Sequence, residues 1–381
     1  MNTKRVYLIG DAFGSYRARC LIEQLLSSGS YATHYADPRY LVSIKRKFLN
    51  RAVLKIYRGF DRIYNLIKFI LADVLYVLPM GNLKVYEFVI AKVLNKKVIT
   101  EFYISQYDTF VNDRKTVEKN SRKANSLLKS DQRLIDVSDH LIFLNESERF
   151  YYLGLANRID AKQKSSVFPL ITPDKARASQ PYAHGLTDAL TMCWWGTYIP
   201  LHGLEKIIKA TAVLKSLKIK CNLYIFGTSD EKSRPYQSLI EELDISDMAF
   251  IDNILNFSDK SLEKFLKDKC DIAFGNFGDS DKAKTVMVNK VLEASSMGLP
   301  VMSQKTKALA EFFTDNTDIF YCEPTPEGIA EKVLELSSQR EKQQTVAQEA
   351  LERHRTVFSK DAYLSAVMGI MDSVLEPNRT K

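Results

Sequence analysis

Short apolar runs alternate with helix-length amphipathic stretches along almost the whole of this chain, and that rhythm constrains its fold more than any other feature. It is the pattern of βαβ units, in which parallel strands are joined by crossover helices. In the first half the predicted strands are Arg5–Ile9, Asp73–Leu78, Lys97–Phe102, His140–Leu144 and Ser166–Phe168. Helices are expected at Ser15–Leu26, Asn82–Leu94 and Val117–Val137. In the second half the strands are Thr191–Trp195, Asn222–Phe226, Ala249–Ile251, Ile272–Phe274, Val301–Ser303 and Ile319–Tyr321, and after Pro326 the pattern is nearly all helical. With 381 residues the chain exceeds what one core usually holds. Pro169 and Pro173, followed by small polar residues through Thr187, read as the break between two α/β domains. The expected organisation is residues 1–172, a linker at 173–188, a second domain at 189–358, and a closing segment at 359–381 with a helix over Lys360–Leu375.

Several function classes recede. The five cysteines, Cys20, Cys193, Cys221, Cys270 and Cys322, form no C-x-x-C pair, so neither a disulfide frame nor a zinc site is supported. The opening residues lack the long apolar stretch of a signal peptide. Lys68 and Asp73 interrupt the apolar run Ile63–Leu78, so no spanning helix is expected. The net charge of +8 is concentrated in Lys45, Arg46, Lys47, Arg51, Lys55, Arg58, Arg62 and Lys68, interleaved with Phe48, Leu49, Val53, Leu54, Ile56, Tyr57 and Phe60. Such a mixture suits an anionic membrane surface, or else a solvated helix face. No nucleic-acid motif accompanies it, so no nucleic-acid partner is expected.

In an open parallel sheet the ligand sits beyond the carboxyl ends of the strands. Two segments place chemistry there. In Cys193–Glu205 a strand ends at Trp195, a loop follows, and a helix begins near Gly203, presenting free N–H groups to an anion. Gly196 and Gly203 permit close backbone approach, and His202 is either a donor to phosphate or a histidine at a helix start without a ligand. In Phe277–Val301 a polar loop carries Lys282 and Lys284, a helix is expected from about Val286, and Gly298 caps it. Cations beside a helix start suit a diphosphate. Asn289, Lys290 and Glu293 share a helical face, where a carboxylate can accept from ribose hydroxyls, or Lys290 and Glu293 form a surface ion pair. Asp279-Ser-Asp281 forms a D-x-D string, yet the adjacent lysines can neutralise a diphosphate without an ion.

In the first half, Gly10–Arg17 follows the first strand without the G-x-G-x-x-G spacing of dinucleotide folds. Gly14 and Arg17 are candidates for contacting an acceptor or a phosphate, the alternative being a plain turn. Tyr103–Asp108 ends another strand. Tyr103 and Tyr107 are acceptor-side candidates, and Asp108 is either the carboxylate near the reacting carbon or a helix cap.

Taken together, Gly196–Gly203, Phe277–Ala283, Asn289–Ala294 and Gly298–Val301 resemble the donor domain of family-4-like GT-B glycosyltransferases, the bacterial polysaccharide branch in particular; Lys97–Thr109 looks like that branch too. The resemblance implies two Rossmann-like domains with parallel sheets facing a central cleft, an acceptor domain first and a donor domain second, and a final helix crossing back to the first domain. It implies that Glu293 binds the donor ribose and that Lys282, with His202, meets the diphosphate. His202 stands where better-known members have lysine, Thr197 where many have arginine, and Thr285 where many have the first glutamate of a pair. The implied reaction retains anomeric configuration and uses no metal or cofactor beyond a nucleotide-diphosphate sugar. The acceptor is a cell-surface polysaccharide or lipid-linked glycan, on the cytoplasmic side. Two rivals remain: a catalytically inactive scaffold of the same fold, and a sugar-nucleotide epimerase.

Overall fold

The computed structural model describes residues 3–11, 14–36, 51–175 and 189–376, with only the backbone of 51–54. It divides into two compact units, residues 1–169 with 360–381, and residues 170–359. Of the basic segment, residues 45–50 lie outside the described residues.

Unit 1 is built on a six-stranded sheet in the order β2-β1-β3-β4-β5-β6, every pairing parallel. The strands are β1 (Lys4–Ile9), β2 (Tyr31–Tyr35), β3 (Val74–Val77), β4 (Lys97–Glu101), β5 (His140–Phe143) and β6 (Ser165–Val167). Between them run α1 (Tyr16–Ser27), α2 (Arg51–Leu71), α3 (Val85–Val93), α4 (Arg122–Val137) and α5 (Glu146–Leu155). β2 escapes the sequence pattern because Tyr-Ala-Thr-His-Tyr is an edge strand, part-exposed throughout, and needs no apolar run. α4 starts at Arg122, where the Ser121 side chain accepts from the Ala124 N–H, and not at Val117. Val117 packs instead with Tyr107 and Val111, the latter on a π-helical turn over Asp108–Asp113.

A buried charge pair organises this unit. Arg17, on the inner face of α1, meets Glu101 at the end of β4 at 2.8 Å, both side chains being almost without solvent. Tyr76 and Tyr363 each donate a hydroxyl to Glu101 Oε1, at 2.7 and 2.6 Å. Arg17 Nη1 donates to the carbonyls of Phe168 and Pro169, and its guanidinium lies 4.2 Å from the Tyr363 ring centroid. Tyr363 belongs to the last helix, Lys360–Leu375, so these contacts bind that helix into unit 1.

Unit 2 carries a second parallel six-stranded sheet, in the order β12-β11-β10-β7-β8-β9. Its strands are β7 (Leu190–Trp195), β8 (Cys221–Phe226), β9 (Ala249–Asp252), β10 (Ile272–Phe274), β11 (Val301–Gln304) and β12 (Phe320–Cys322). Its helices continue the count with α6 (Leu204–Ser216), α7 (Asp230–Glu242), α8 (Ser261–Lys269), α9 (Asp281–Thr285), α10 (Asn289–Met297), α11 (Lys307–Ala310), α12 (Pro326–Ser337) and α13 (Arg340–Val357); Lys360–Leu375 is α14. The alternation of β7 sends Trp194 into one apolar layer, with Ile207, Ile208 and Val333, and Trp195 into the other, with Leu262, Leu266 and Val291. The helix expected from Val286 begins three residues later. Ser280 caps a separate turn, α9, and Val286 is extended at φ −102°, so two short helices replace one longer one.

Replacing one member of a buried pair strands the other charge, which typically costs about 3–5 kcal/mol. Glu101→Leu is therefore expected to lower the unfolding free energy of unit 1 by about that amount in urea titration. The double change Arg17→Met with Glu101→Leu is expected to lower it by less. Additive losses would show that the two side chains do not depend on each other.

Candidate functional site

Each sheet reverses its winding at its first strand. β7 continues to β8 on one side, and the chain later returns to place β10 on the other, so a crevice opens beyond the carboxyl ends of β7 and β10. The loops that leave these strands meet there backbone to backbone. A Cβ on Gly203, at φ +60°, would stand 2.5 Å from the Phe277 carbonyl, and one on Gly278 would stand 2.2 Å from the Leu201 oxygen. The Phe277 N–H donates to the His202 carbonyl at 3.2 Å, and Gln304 Nε2 holds the Gly278 carbonyl at 2.8 Å. Side chains are thus excluded from the seam between the loops at Gly203 and Gly278, whereas a Cβ on Gly196 would meet only ordinary contacts, its φ of +140° being what favours glycine there.

At the crevice floor stands Lys290, in the first turn of α10. It is 5% exposed, its Nζ has no hydrogen-bond partner among the described residues, and it lies 4.2 Å over the Trp194 ring. A Cβ on Gly196 would come within 3.7 Å of Lys290 Nζ and 3.8 Å of His202 Nε2, so the missing side chain leaves room against both. Burial pushes the Lys290 ammonium well below its ordinary pKa, and the nearby Glu293 carboxylate opposes this only in part. His202 is lowered to about 3, first by burial and then by Lys290, so its ring is neutral. Neither α6, entered through Gly203, nor α10, entered through Val288, has a side chain capping its first turn. Of the eight helices described in the unit, four are capped in this way: α7, α9, α11 and α12, by Ser229, Ser280, Thr306 and Thr325. A buried cation, a neutral imidazole and two open helix starts make a receptor for an anion.

One turn along α10, half-buried Glu293 accepts from Trp195 Nε1 at 2.7 Å. That bond fixes one carboxylate oxygen. Trp195 stands edge-on to Phe257, 6.3 Å between centroids, and Lys175 Nζ lies 3.9 Å over the Phe257 ring. Sequence reasoning named none of these three as site residues. Trp195 was visible as the last residue of its strand, but the pairing of its N–H with Glu293 joins residues 98 apart.

Other expected residues fall elsewhere. Lys282 and Lys284 sit on α9 and not in an open loop, half-buried and exposed respectively, and Asn289 is exposed at the start of α10. Thr197 is exposed, and the Thr285 hydroxyl is turned back onto the Asp281 carbonyl at 3.1 Å. Asp279 of the D-x-D string pairs with Lys206 Nζ at 2.6 Å. Among the described residues no group of three or more His, Cys, Asp or Glu side chains is placed to hold a metal ion. Asp252 and Asn253 hold their own loop: Asp252 Oδ1 accepts from the Ile254 and Leu255 N–H groups, and Asn253 accepts from Tyr198.

In unit 1 the acceptor-side expectations require correction. Arg17 is 1% exposed and turned inward to Glu101, because its position on α1 faces the sheet. Tyr103 and Tyr107 are buried, the former with its ring 4.9 Å from the Arg17 guanidinium. Asp108 is 1% exposed; its Oδ1 accepts from the Tyr151 hydroxyl at 2.6 Å and Asn112 Nδ2 at 3.0 Å, which makes it an internal strut. Gly14 lies on the loop after β1, where an added Cβ would approach the flexible end of Met80 at 3.3 Å. The tight seam there is formed by Gly10 and Gly81, 3.2 Å apart by the same measure.

Comparison with known proteins places this geometry. Residues 183–353 match the model of the family described as glycosyl transferases group 1. No curated protein matches the chain in sequence. Among solved structures, HepE from Anabaena in complex with UDP and glucose aligns with a TM-score of 0.63 at 11% identity, over 98% of this chain and 100% of that one. A glycosyltransferase from Rickettsia africae aligns at 0.67 with 15% identity, over 99% and 100%, and sucrose-phosphate synthase from Thermosynechococcus elongatus at 0.63 with 12%, over 97% and 99%. At these identities the likeness establishes the fold, which is GT-B.

His202 supplies a pH test. Its pKa of about 3 in the fold lies below the ordinary 6.5, so the unfolded chain takes up the proton first. Stability contributed by the neutral ring is present above pH 6.5 and is lost as pH falls toward 3. Between pH 7 and pH 5 the parent is expected to lose about 1–2 kcal/mol more unfolding free energy than His202→Gln. Equal losses would place the imidazole in water.

Proposed function

We propose that this chain, a GT-B protein with a group 1 glycosyl transferase domain, transfers a sugar from a nucleotide-diphosphate donor held by unit 2 to a glycan acceptor. The observation that carries the reading is the unpartnered, buried Lys290 Nζ above Gly196, with Glu293 one turn away. A diphosphate is the ligand chemistry that supplies the missing counter-charge, and a vicinal diol is what the free side of a fixed carboxylate accepts. The UDP and glucose held by HepE are of this chemical class.

The donor diphosphate lies against Gly196, the starts of α6 and α10, Lys290 and neutral His202, which donates or accepts without adding charge. Glu293 takes the ribose hydroxyls, its orientation set by Trp195. As the bond from the anomeric carbon to the diphosphate oxygen lengthens, negative charge grows on that oxygen, and Lys290 and the helix starts stabilise it. Catalysis is then positioning and charge stabilisation, with retention of configuration and without a bound metal, Lys282 and Lys284 adding charge from α9. The acceptor is a cell-surface polysaccharide or a lipid-linked glycan.

Burial lowers the Lys290 pKa, and an anion arriving beside the amine raises it again. Nucleoside diphosphate binding is therefore expected to take up protons, seen by calorimetry in buffers of different ionisation enthalpy, and affinity is expected to fall as pH rises above the free-site pKa. Lys290→Met is expected to abolish both the uptake and transfer. Undiminished uptake in that variant would remove Lys290 from the diphosphate site. Trp195→Phe keeps the ring and deletes the N–H; it is expected to weaken nucleoside diphosphate binding about tenfold while leaving a 2′,3′-dideoxy analogue unaffected. Equal weakening of both ligands would mean that the tryptophan does not act through Glu293.

A further inference from the structure

Among the described residues, unit 1 exposes an apolar face that no other element covers. On α2, Ile56, Phe60, Ile63, Ile67 and Ile70 recur at intervals of four and three residues, one stripe along the helix, and all five are exposed, Phe60 at 69%. The opposite side of the same helix is the one that packs inward, where Phe69 is 2% exposed and Asn65 accepts from the His34 ring at 2.7 Å. α3 repeats the arrangement with Val85, Val89 and Val93, the last 76% exposed, while Ala91 faces the core.

The two stripes are neighbours. Both helices belong to crossovers that run the same way along the sheet, from β2 to β3 and from β3 to β4, so right-handed connections put them on one face. Lys96, just beyond α3, donates to the carbonyls of Ile70 and Ala72 at the end of α2. Phe60 and Tyr64 of α2 and Lys84 and Tyr86 at the start of α3 line one cavity of about 820 Å³.

Charge decides what covers this face. Among the described side chains of α2, Lys55, Arg58, Arg62 and Lys68 stand against Asp61 alone; α3 carries exposed Lys92 and one carboxylate, Glu87, which is paired with Lys84 at 3.5 Å. Lys55 and Arg62 fall on one flank of the stripe and Lys68 on the other by helical spacing, so their aliphatic stems follow the apolar surface and their charged ends reach past it. No helix among the described residues is long and apolar enough to cross a membrane.

We propose that α2 and α3 together form an in-plane membrane-docking face, seating the Ile56–Ile70 and Val85–Val93 stripes in the interface of an anionic phospholipid bilayer with the basic flank on its headgroups. The aliphatic stripes anchor the protein and the charges steer it, so binding outlasts salt that screens the basic residues. The face lies in unit 1 and stands apart from the nucleotide reading of unit 2; it deepens only the acceptor side of the proposed function, since a lipid-linked acceptor lies at such a surface.

The test is flotation of the full chain with phosphatidylcholine vesicles, with and without phosphatidylglycerol, at low and high salt. The parent is expected to float with the anionic vesicles and to keep part of that binding at high salt. Ile63→Asp with Ile67→Asp on α2, and separately Val89→Asp with Val93→Asp on α3, are each expected to cut the bound fraction at least about tenfold, because each withdraws two large aliphatic side chains from the interface. All four positions are exposed, so nucleoside diphosphate binding by unit 2 is expected to stay at the parent level and reports folding. A parent that does not float, or an α3 pair that floats like the parent, overturns the two-helix face. A parent that sediments as a dimer, with monomeric variants, would assign the face to a second copy of the chain.

Discussion

Both sheets depend on a constraint at the strand where their winding reverses. Two loops must leave neighbouring carboxyl ends in nearly the same space, and a side chain between them would hold them apart. Gly203 and Gly278 meet this demand in unit 2, where a Cβ on either would stand 2.5 Å or less from carbonyl atoms of the facing loop. Gly10 and Gly81 meet it in unit 1, where a Cβ on Gly81 would stand 2.8 Å from the Ile9 and Leu78 carbonyl oxygens. Closing the seam in unit 2 draws His202 and the start of α6 up to the start of α10, and the anion-receptive floor exists only because the backbones touch.

The two units treat buried charge in opposite ways, and the difference separates scaffold from site. Glu101 is saturated: an arginine and two tyrosine hydroxyls converge on it, and nothing is left over for a ligand. Lys290 is the reverse, a buried amine that faces an aromatic ring and has the Glu293 carboxylate one turn away, with no hydrogen-bond partner among the described residues. A saturated pair rigidifies the core and binds α14 into unit 1. An unsaturated one stores an unfavourable environment that a ligand relieves on arrival.

How far the sequence revealed this follows from the same physics. Periodicity exposed eleven of the twelve described strands, because most parallel strands of these sheets read as apolar runs; edge strand β2, with Ala-Thr-His between two tyrosines, does not. That Gly196, His202, Gly203, Lys290 and Glu293 would gather at one carboxyl edge could be read because strand end, loop and helix start lie within a few residues of one another in each of the two segments. Asp108, Arg17, Tyr103 and Tyr107 misled because a strand-end loop shows which residues are near the carboxyl edge and not which way they turn. Arg17 turned inward to a glutamate 84 positions along the chain, and Asp108 to a tyrosine 43 positions along. Lys282 attracted attention as a loop cation, whereas the cation that burial makes consequential is Lys290, eight residues later.

The departures from the family pattern at Thr197 and Thr285 invite the reading of an inactive scaffold, and the geometry of Lys290 bears on it directly. A scaffold that binds no anion gains nothing from a lysine amine in an apolar pocket: methionine, of similar volume, would remove the desolvation penalty and fill the same space. The same holds for the seam, where glycine is required only to bring two open helix starts together around that amine. Thr285 has turned its hydroxyl back into α9 and Thr197 faces solvent, so neither carries charge to the crevice floor. With the arginine and first glutamate of the common pattern replaced, the proposed donor site takes its positive charge from within, on α10, at Lys290 beside Glu293. On the proposed function the cation has moved from the positions of Thr197 and Thr285 to Lys290, and that proposal gives a reason for keeping a lysine buried there.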